Sequence, residues 1–270
     1  MLIIGELLNS TRKAVKEALE AKDEATIRRL AREQVEAGAD ILDVNTATSM
    51  EGEIDDLRWV MGLIHDEVGK VRLAIDTPNP KAMAAGLDLC QARPIINSIN
   101  NNPRLQKELI SLVKEGDADI IGLTMGGKTG MPKTVEERLQ EAKQLINTLD
   151  EAGVDLHRLF IDPLVMSIGS NQDQARVAID TVREIKNRYG SRGVKTTTGL
   201  SNVSFGLPSR TLLNQAFLAM LLEAGLDMAV INPRDEGMKN ILRASEALLG
   251  IDAHCLQYVR HIRSKKGEVR

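Results

Sequence analysis

EAGADILDVN, residues 36–45, holds the end of one element and the whole of the next. EAGAD closes an amphipathic stretch, and its glycine supplies the left-handed cap that other residues avoid. ILDVN then reads as a short buried strand that stops on an amide. The phrase returns as EGDAD at 115–119, EAGVD at 151–155 and EAGLD at 223–227. The spacing is roughly 36 residues or about twice that, a length that a helix, a strand and two short loops fill. The chain therefore carries a weak repeat of helix, cap and strand.

Working outward, apolar runs occur at LIIGE (2–6), ILDVN (41–45), LAID (73–76), PIINS (94–98), IIGLTM (120–125), LFID (159–162), TTTGLSN (196–202) and MAVIN (228–232). Helical patterns such as LRWVMGLIHDEV (57–68) and VEERLQEAKQLINTLDEAG (135–153) lie between them. Strands alternating with helices imply parallel pairing through crossovers. Eight units without a linker favour a single-domain α/β fold, a (β/α)8 TIM barrel over residues 1–250 followed by a C-terminal helical tail over 251–270. An open doubly wound sheet is the alternative.

Composition narrows the function. The net charge of −3 offers no basic field for nucleic acid, and aromatics at 2% leave few stacking platforms. No apolar run is long enough to span a membrane. With two cysteines, Cys90 and Cys255, the expected compartment is the reducing cytoplasm, and a thiolate metal site is not expected. MGGKTG (125–130) matches neither a dinucleotide fingerprint nor a P-loop.

The apolar runs close on polar residues: Glu6, Asn45, Asp76, Asn97, Thr124, Asp162, Asn202 and Asn232. In a barrel all C-terminal strand ends open onto one face, which carries the active site. Each residue alone is equally well a helix cap or an Asx turn, and Asn45 and Asn232 fit that reading best. Together they make a ring of acids and amides. None of the four histidines falls at a strand end, which disfavours a zinc hydrolase. Lys128, in a loop that reads as flexible, is a candidate contact for a ligand's acidic tail; Lys195, at a strand start, reads as facing away. Such a mouth suits a neutral heterocycle rich in hydrogen bonds, such as a pterin, whose amino group and ring N–H match a carboxylate bidentately.

MLIIGE, ILDVN, LAID, INSIN (96–100), IGLTM (121–125), IDPL (161–164) and above all GLSNVS (199–204) with FLAM (217–220) resemble the methyltetrahydrofolate:corrinoid protein methyltransferases. The resemblance covers nearly the whole chain and places it in the pterin-binding barrel superfamily. It implies methyl transfer between the cobalt of a corrinoid (cobalamin), carried by a separate corrinoid protein, and N5 of tetrahydrofolate. It further implies that Asp76, Asn97 and Asp162 hold the pterin, that Gly199 and Ser201 let backbone approach the ring, and that Asn202 sits against N5 as the catalytic group. Family members are typically homodimers. Phe205 stands where several relatives place a polar residue. Met125, Met131, Leu164, Val165, Met166, Phe205 and Leu207 read either as an apolar rim for the corrinoid or as packed loop anchors.

The favoured direction methylates tetrahydrofolate in a demethylation pathway. The reverse, from 5-methyltetrahydrofolate to a corrinoid iron–sulfur protein in acetogenesis, is an alternative. A dihydropteroate synthase-like enzyme, which needs cations for pyrophosphate near the last strands, and a non-catalytic folate-binding subunit are two more. Arg210 lies beyond the GLSNVS loop. DAHCLQ (252–257) superficially echoes a cobalamin motif but reads as a surface helix, since its last position is Gln257.

Overall fold

The computed structural model describes residues 1–47 and 52–267. The strands are β1 (Leu2–Asn9), β2 (Ile41–Asn45), β3 (Arg72–Asp76), β4 (Ile95–Ile99), β5 (Asp119–Leu123), β6 (Leu159–Asp162), β7 (Lys195–Thr196) and β8 (Met228–Ile231). Helices α1 (Lys13–Ala21) and α2 (Glu24–Glu36) follow β1. One helix follows each later strand: α3 (Glu53–Val68), α4 (Pro80–Leu89), α5 (Pro103–Glu115), α6 (Val135–Glu151), α7 (Gln174–Tyr189), α8 (Arg210–Glu223) and α9 (Glu236–Leu248). All strand pairs are parallel, in the order β7-β6-β5-β4-β3-β2-β1-β8. The last seam is closed by a bridge from Gly199 to Val230, with the Val230 N–H donating to the Thr198 carbonyl at 2.9 Å and the Asp227 N–H to the Thr196 carbonyl at 3.3 Å. The chain is a single-domain (β/α)8 barrel, and the open sheet is set aside.

The tail expected over 251–270 contains a 3-10 turn (Ala253–Cys255) and α10 (Leu256–Gly267), which meets α9 through His261 and Asn240 at 2.8 Å; residues 268–270 lie outside the described residues. Asp252 accepts from the backbone of Gln257 and Tyr258, so DAHCLQ is a helix start. Among the described residues no helix is long and apolar enough to cross a membrane.

The repeated phrase is a helix stop, as read, with one exception. Gly38, Gly153 and Gly225 have φ of 93°, 78° and 100°. In EGDAD the left-handed residue is Asp117 at φ 44°, because the glycine falls one place early, at the cap. Aspartate is among the few side chains that tolerate this region. The closing aspartates have a further use. Asp40 accepts from the Ile3 N–H and Asp227 from the Thr196 N–H, each at 2.8 Å, so each pins the start of a neighbouring strand.

The core has two layers. Inside the barrel, Ile4, Ile41, Ala74, Ile95, Ile121, Phe160 and Met228 form one buried plug. The alternate residues, such as Leu42, Ile75, Ile96 and Ile161, pack outward against the helices. A side-chain period of two therefore places the residue two positions beyond each plug residue one pleat nearer the mouth.

β1 breaks this period, and the break matters. Ladder partners advance from Gly5–Leu42 to Leu8–Val44, so β1 carries one extra residue there. Leu7 and Leu8 both join the outer core, and Asn9 pairs with Asn45 at the mouth. Such a bulge leaves a backbone N–H without a ladder partner. The buried Gln34 of α2 supplies one: its Oε1 accepts from Leu7 N at 2.8 Å. Gln34→Ala is expected to leave that N–H unpaired and to lower unfolding free energy by about 1–3 kcal/mol in urea titration. An unchanged midpoint would show that the bulge holds itself.

Candidate active site

Five of the plug strands carry a polar side chain one pleat above the plug: Glu6 over Ile4, Asp43 over Ile41, Asp76 over Ala74, Asn97 over Ile95 and Asp162 over Phe160. All five border one cavity of about 690 Å³ at the C-terminal end of the barrel. That is the size of a site for a small organic ligand. Ser201, Asn202, Phe205 and Arg210 border its outer part, and Gly199 borders it as backbone.

On one wall the groups form a single network. Asn97 Nδ2 donates to Asp43 Oδ1 at 3.1 Å, and Asn45 Nδ2 to Asp76 Oδ2 at 2.9 Å. The Asn9 amide bridges the two acids, 3.3 Å from Asp43 Oδ2 and 3.3 Å from Asp76 Oδ2. Burial raises the carboxyls of Asp43 and Asp76 above the usual range, and the negative charge of Asp76 raises Asp43 further. Two close carboxyls sharing one amide resist double ionisation, so the pair retains a proton more readily than free carboxyls.

The opposite wall carries Asp162. Its Oδ1 accepts from Leu164 N at 2.8 Å. Burial pushes its carboxyl up to about 6, against the pull of the Leu164 and Gly199 N–H groups and of the Arg138 charge. Arg138, in the first turn of α6, has a fully buried side chain at 0% exposure. Its Nη2 donates to Gln174 Oε1 at 2.6 Å, while Nε and Nη1 have no partner among the described residues. Burial lowers the guanidinium only to about 10, so it stays charged at neutral pH. Arg138→Met is expected to move the Asp162 titration upward from about 6, followed by carboxyl-carbon NMR. A carboxyl raised on folding stabilises the fold when protonated. That contribution is full below the ordinary value of 3.8 and is lost as pH rises through about 6. In the variant the loss extends to higher pH.

The predicted seventh strand is corrected. β7 is only Lys195–Thr196, and Leu200–Ser204 winds into a 3-10 turn in which Phe205 N donates to Asn202 O at 3.1 Å. Asn202 thus projects from a turn, not from a strand end. Asn202 is exposed and borders the cavity. A Cβ on Gly199 would come within 3.1 Å of Asn202 Nδ2, so the glycine leaves room for this amide. Arg210 braces the turn, its Nη2 donating to Ser201 O at 2.7 Å and its Nε to Ser204 Oγ at 3.1 Å. Phe205 is 69% exposed with the Arg210 guanidinium 5.9 Å from its ring centre. Glu6 pairs with Arg12, and burial holds its carboxyl above the usual range.

Five expected residues do not border the cavity; Thr124 is one, fully buried with its hydroxyl donating to Asp162 O at 3.1 Å. Asn45 lies behind it, steering Asp76 and accepting from Ser10 Oγ at 2.6 Å. Asn232 is an Asx turn, accepting from Arg234 N at 3.0 Å. Met125 and Lys128 belong to a loop drawn outward onto α6, where the buried Glu141 accepts from Gly127 N at 2.9 Å and Thr129 N at 3.0 Å. The loop is anchored where flexibility was expected. Within the supposed rim, Val165 is core, whereas Met131 and Phe205 are exposed. Lys195 lies at the barrel floor, 4.9 Å from the centre of the Phe160 ring.

Sequence reading missed Asp43, Asn9 and Thr197. The alternation Ile41–Leu42–Asp43 carried the signal for Asp43, which was masked by taking only the end of each run. Asn9 had none, because the bulge shifts it into place. Thr197 lay inside a stretch read for its end.

Residues 5–232 match a family model described as pterin binding enzyme. A methylcorrinoid:tetrahydrofolate methyltransferase of Eubacterium limosum is 35% identical over 271 residues, covering 98% of this chain and 97% of the relative. A methionine synthase of Mycobacterium leprae is 34% identical over 245 residues, 86% of this chain but only 20% of that protein. Among solved structures, a dihydropteroate synthase of Coxiella burnetii in complex with pteroic acid superposes with TM-score 0.68 at 17% identity, over 91% of this chain and 93% of that one. A Yersinia pestis dihydropteroate synthase gives 0.68 at 15% identity, over 92% and 94%. At these identities the two structures speak to the fold alone.

Proposed function

The chain belongs to the pterin-binding enzyme family, and from that premise we propose that it is a methyltransferase moving a methyl group from the cobalt of a methylated corrinoid to N5 of tetrahydrofolate. Full-length likeness to a relative of that name supports the activity and its direction. The observation that carries the site is that Asp76, Asn97, Asp162 and Asn202, from four separate segments, border one cavity.

Asp162 accepts the amino and ring N–H pair of the pterin, a bidentate match that requires the ionised carboxylate. Asp76 and Asn97 take the rest of the polar edge. Gly199 and Ser201 bring backbone against the ring. Asn202 meets N5, its amide oxygen accepting from N5–H so that the nitrogen lone pair faces out of the mouth. As the N5–methyl bond forms, positive charge grows on N5, and the same oxygen stabilises it. The N5 proton then leaves to solvent. When bound, the methylated corrinoid supplies an electrophilic methyl group and keeps the electron pair of the broken cobalt–carbon bond. Among the described residues no histidine borders the cavity, and the groups there suit a pteridine rather than a cobalt ligand. The corrinoid therefore comes on a separate protein, and the exposed Phe205 and Met131 offer it apolar contact. We place the enzyme in the cytoplasm as a homodimer.

A pyrophosphate-releasing reaction is disfavoured by the cations near the last strands. Lys195 is at the barrel floor, donating to His157 O at 2.9 Å, and Arg210 is engaged with the 3-10 turn. Mixing the protein with tetrahydrofolate and methylcobalamin, and following the cobalt spectrum, tests the proposal. Loss of the methylcobalamin bands with appearance of methyltetrahydrofolate is expected. A folate-binding subunit without activity would bind folate and leave the spectrum unchanged.

A further inference from the structure

Thr197 is 1% exposed, and its hydroxyl has no hydrogen-bond partner among the described residues. Buried hydroxyls without partners are uncommon, since each forfeits its hydrogen bonds to water. The residue nevertheless borders the cavity. β6 and β7 pair Phe160 with Lys195 and Ile161 with Thr196, so the next step sets Thr197 beside Asp162. Lys195 points inward over Phe160, and the period of two directs Thr197 inward one pleat higher, level with the Asp162 carboxylate. Its backbone is fixed there by the Thr197 N–H donating to Ile161 O at 2.9 Å. The hydroxyl itself is closed off from solvent, and a turn of about 120° about the Cα–Cβ bond exchanges it with the methyl group.

We propose that Thr197 is a further substrate-binding residue, whose hydroxyl turns into the cavity and donates a hydrogen bond to an acceptor atom of the pteridine beside the N–H pair held by Asp162. This rests on the site reading given above. Of the adjacent pair Asp162 and Thr197, only the hydroxyl can donate: the Asp162 carboxylate only accepts, and a pterin presents acceptors on either side of its N–H pair. The unpaired hydroxyl burdens the empty protein and is satisfied in the complex. Thr198 is the internal comparison. Its hydroxyl is also buried without a partner, but the residue does not border the cavity.

The test is equilibrium binding of tetrahydrofolate and thermal unfolding of the ligand-free protein, for wild type, Thr197→Val, Thr197→Ser and Thr198→Val. Thr197→Val is expected to bind about three- to tenfold more weakly, the loss of one hydrogen bond, and to melt about 2 °C higher. Thr197→Ser should bind within about twofold of wild type. Thr198→Val should melt higher and bind unchanged. If wild type binds tetrahydrofolate and Thr197→Val binds it equally well, the assignment of Thr197 is overturned and the methyltransferase reading stands. If wild type takes up no tetrahydrofolate, the reading of the site itself fails.

Discussion

Asp162→Ala is expected to weaken tetrahydrofolate binding by at least about a hundredfold while leaving the fold intact, because the substitution removes two charge-assisted hydrogen bonds at once. Each such bond contributes about 1.5–3 kcal/mol, and the pterin N–H groups left facing alanine in a closed pocket find no substitute. The carboxylate makes the stated contact only when ionised. Wild-type affinity should therefore fall as pH drops through about 6, the value to which burial raises Asp162, and should level off above it. Both effects are read by calorimetry across pH, with circular dichroism checking the fold. Equal affinity in wild type and variant would remove Asp162 from the pterin site. A variant that binds weakly but keeps the full pH profile would assign the titration to Asp43 and Asp76 instead.

Asn202→Ala is expected to act on turnover, not on binding. Asn202 is exposed at the mouth, so its removal strands no buried partner in the protein. Turnover with tetrahydrofolate and methylcobalamin should fall at least about tenfold, the scale of one hydrogen bond that strengthens as charge develops. The dissociation constant should change by about threefold or less. Unchanged turnover would mean that charge on N5 is met by solvent, and Asn202 would leave the mechanism.

These two residues differ in how they could be read. Asp162 closes LFID, a run whose alternation already sets Phe160 and Asp162 on one face. Its place beside the cavity follows from local periodicity once a closed barrel is assumed. Asn202 was singled out by the GLSNVS resemblance, and the strand expected there is a 3-10 turn. The residue reaches the mouth from that turn and not from a strand end. Lys128 shows the converse. A glycine-rich loop read as flexible is held by the buried Glu141 of α6, 14 residues after Gly127 and 12 after Thr129; no spacing in GGKTG announces that carboxylate.

Helix stops, most strand positions and the inward or outward sense of most strand residues outside the β1 bulge were present in the chain itself, because left-handed caps and a side-chain period of two act between near neighbours. From these came the parallel barrel and most of its polar mouth. The closed fold alone settled the rest: the bulge that turns Asn9 onto Asp43 and Asp76, the dry surroundings that lift Asp162 to about 6, and the meeting of Thr197 with it across β6 and β7. Each of these depends on which groups from distant segments exclude water from one another. Burial is a property of the assembled barrel, and no single segment carries it.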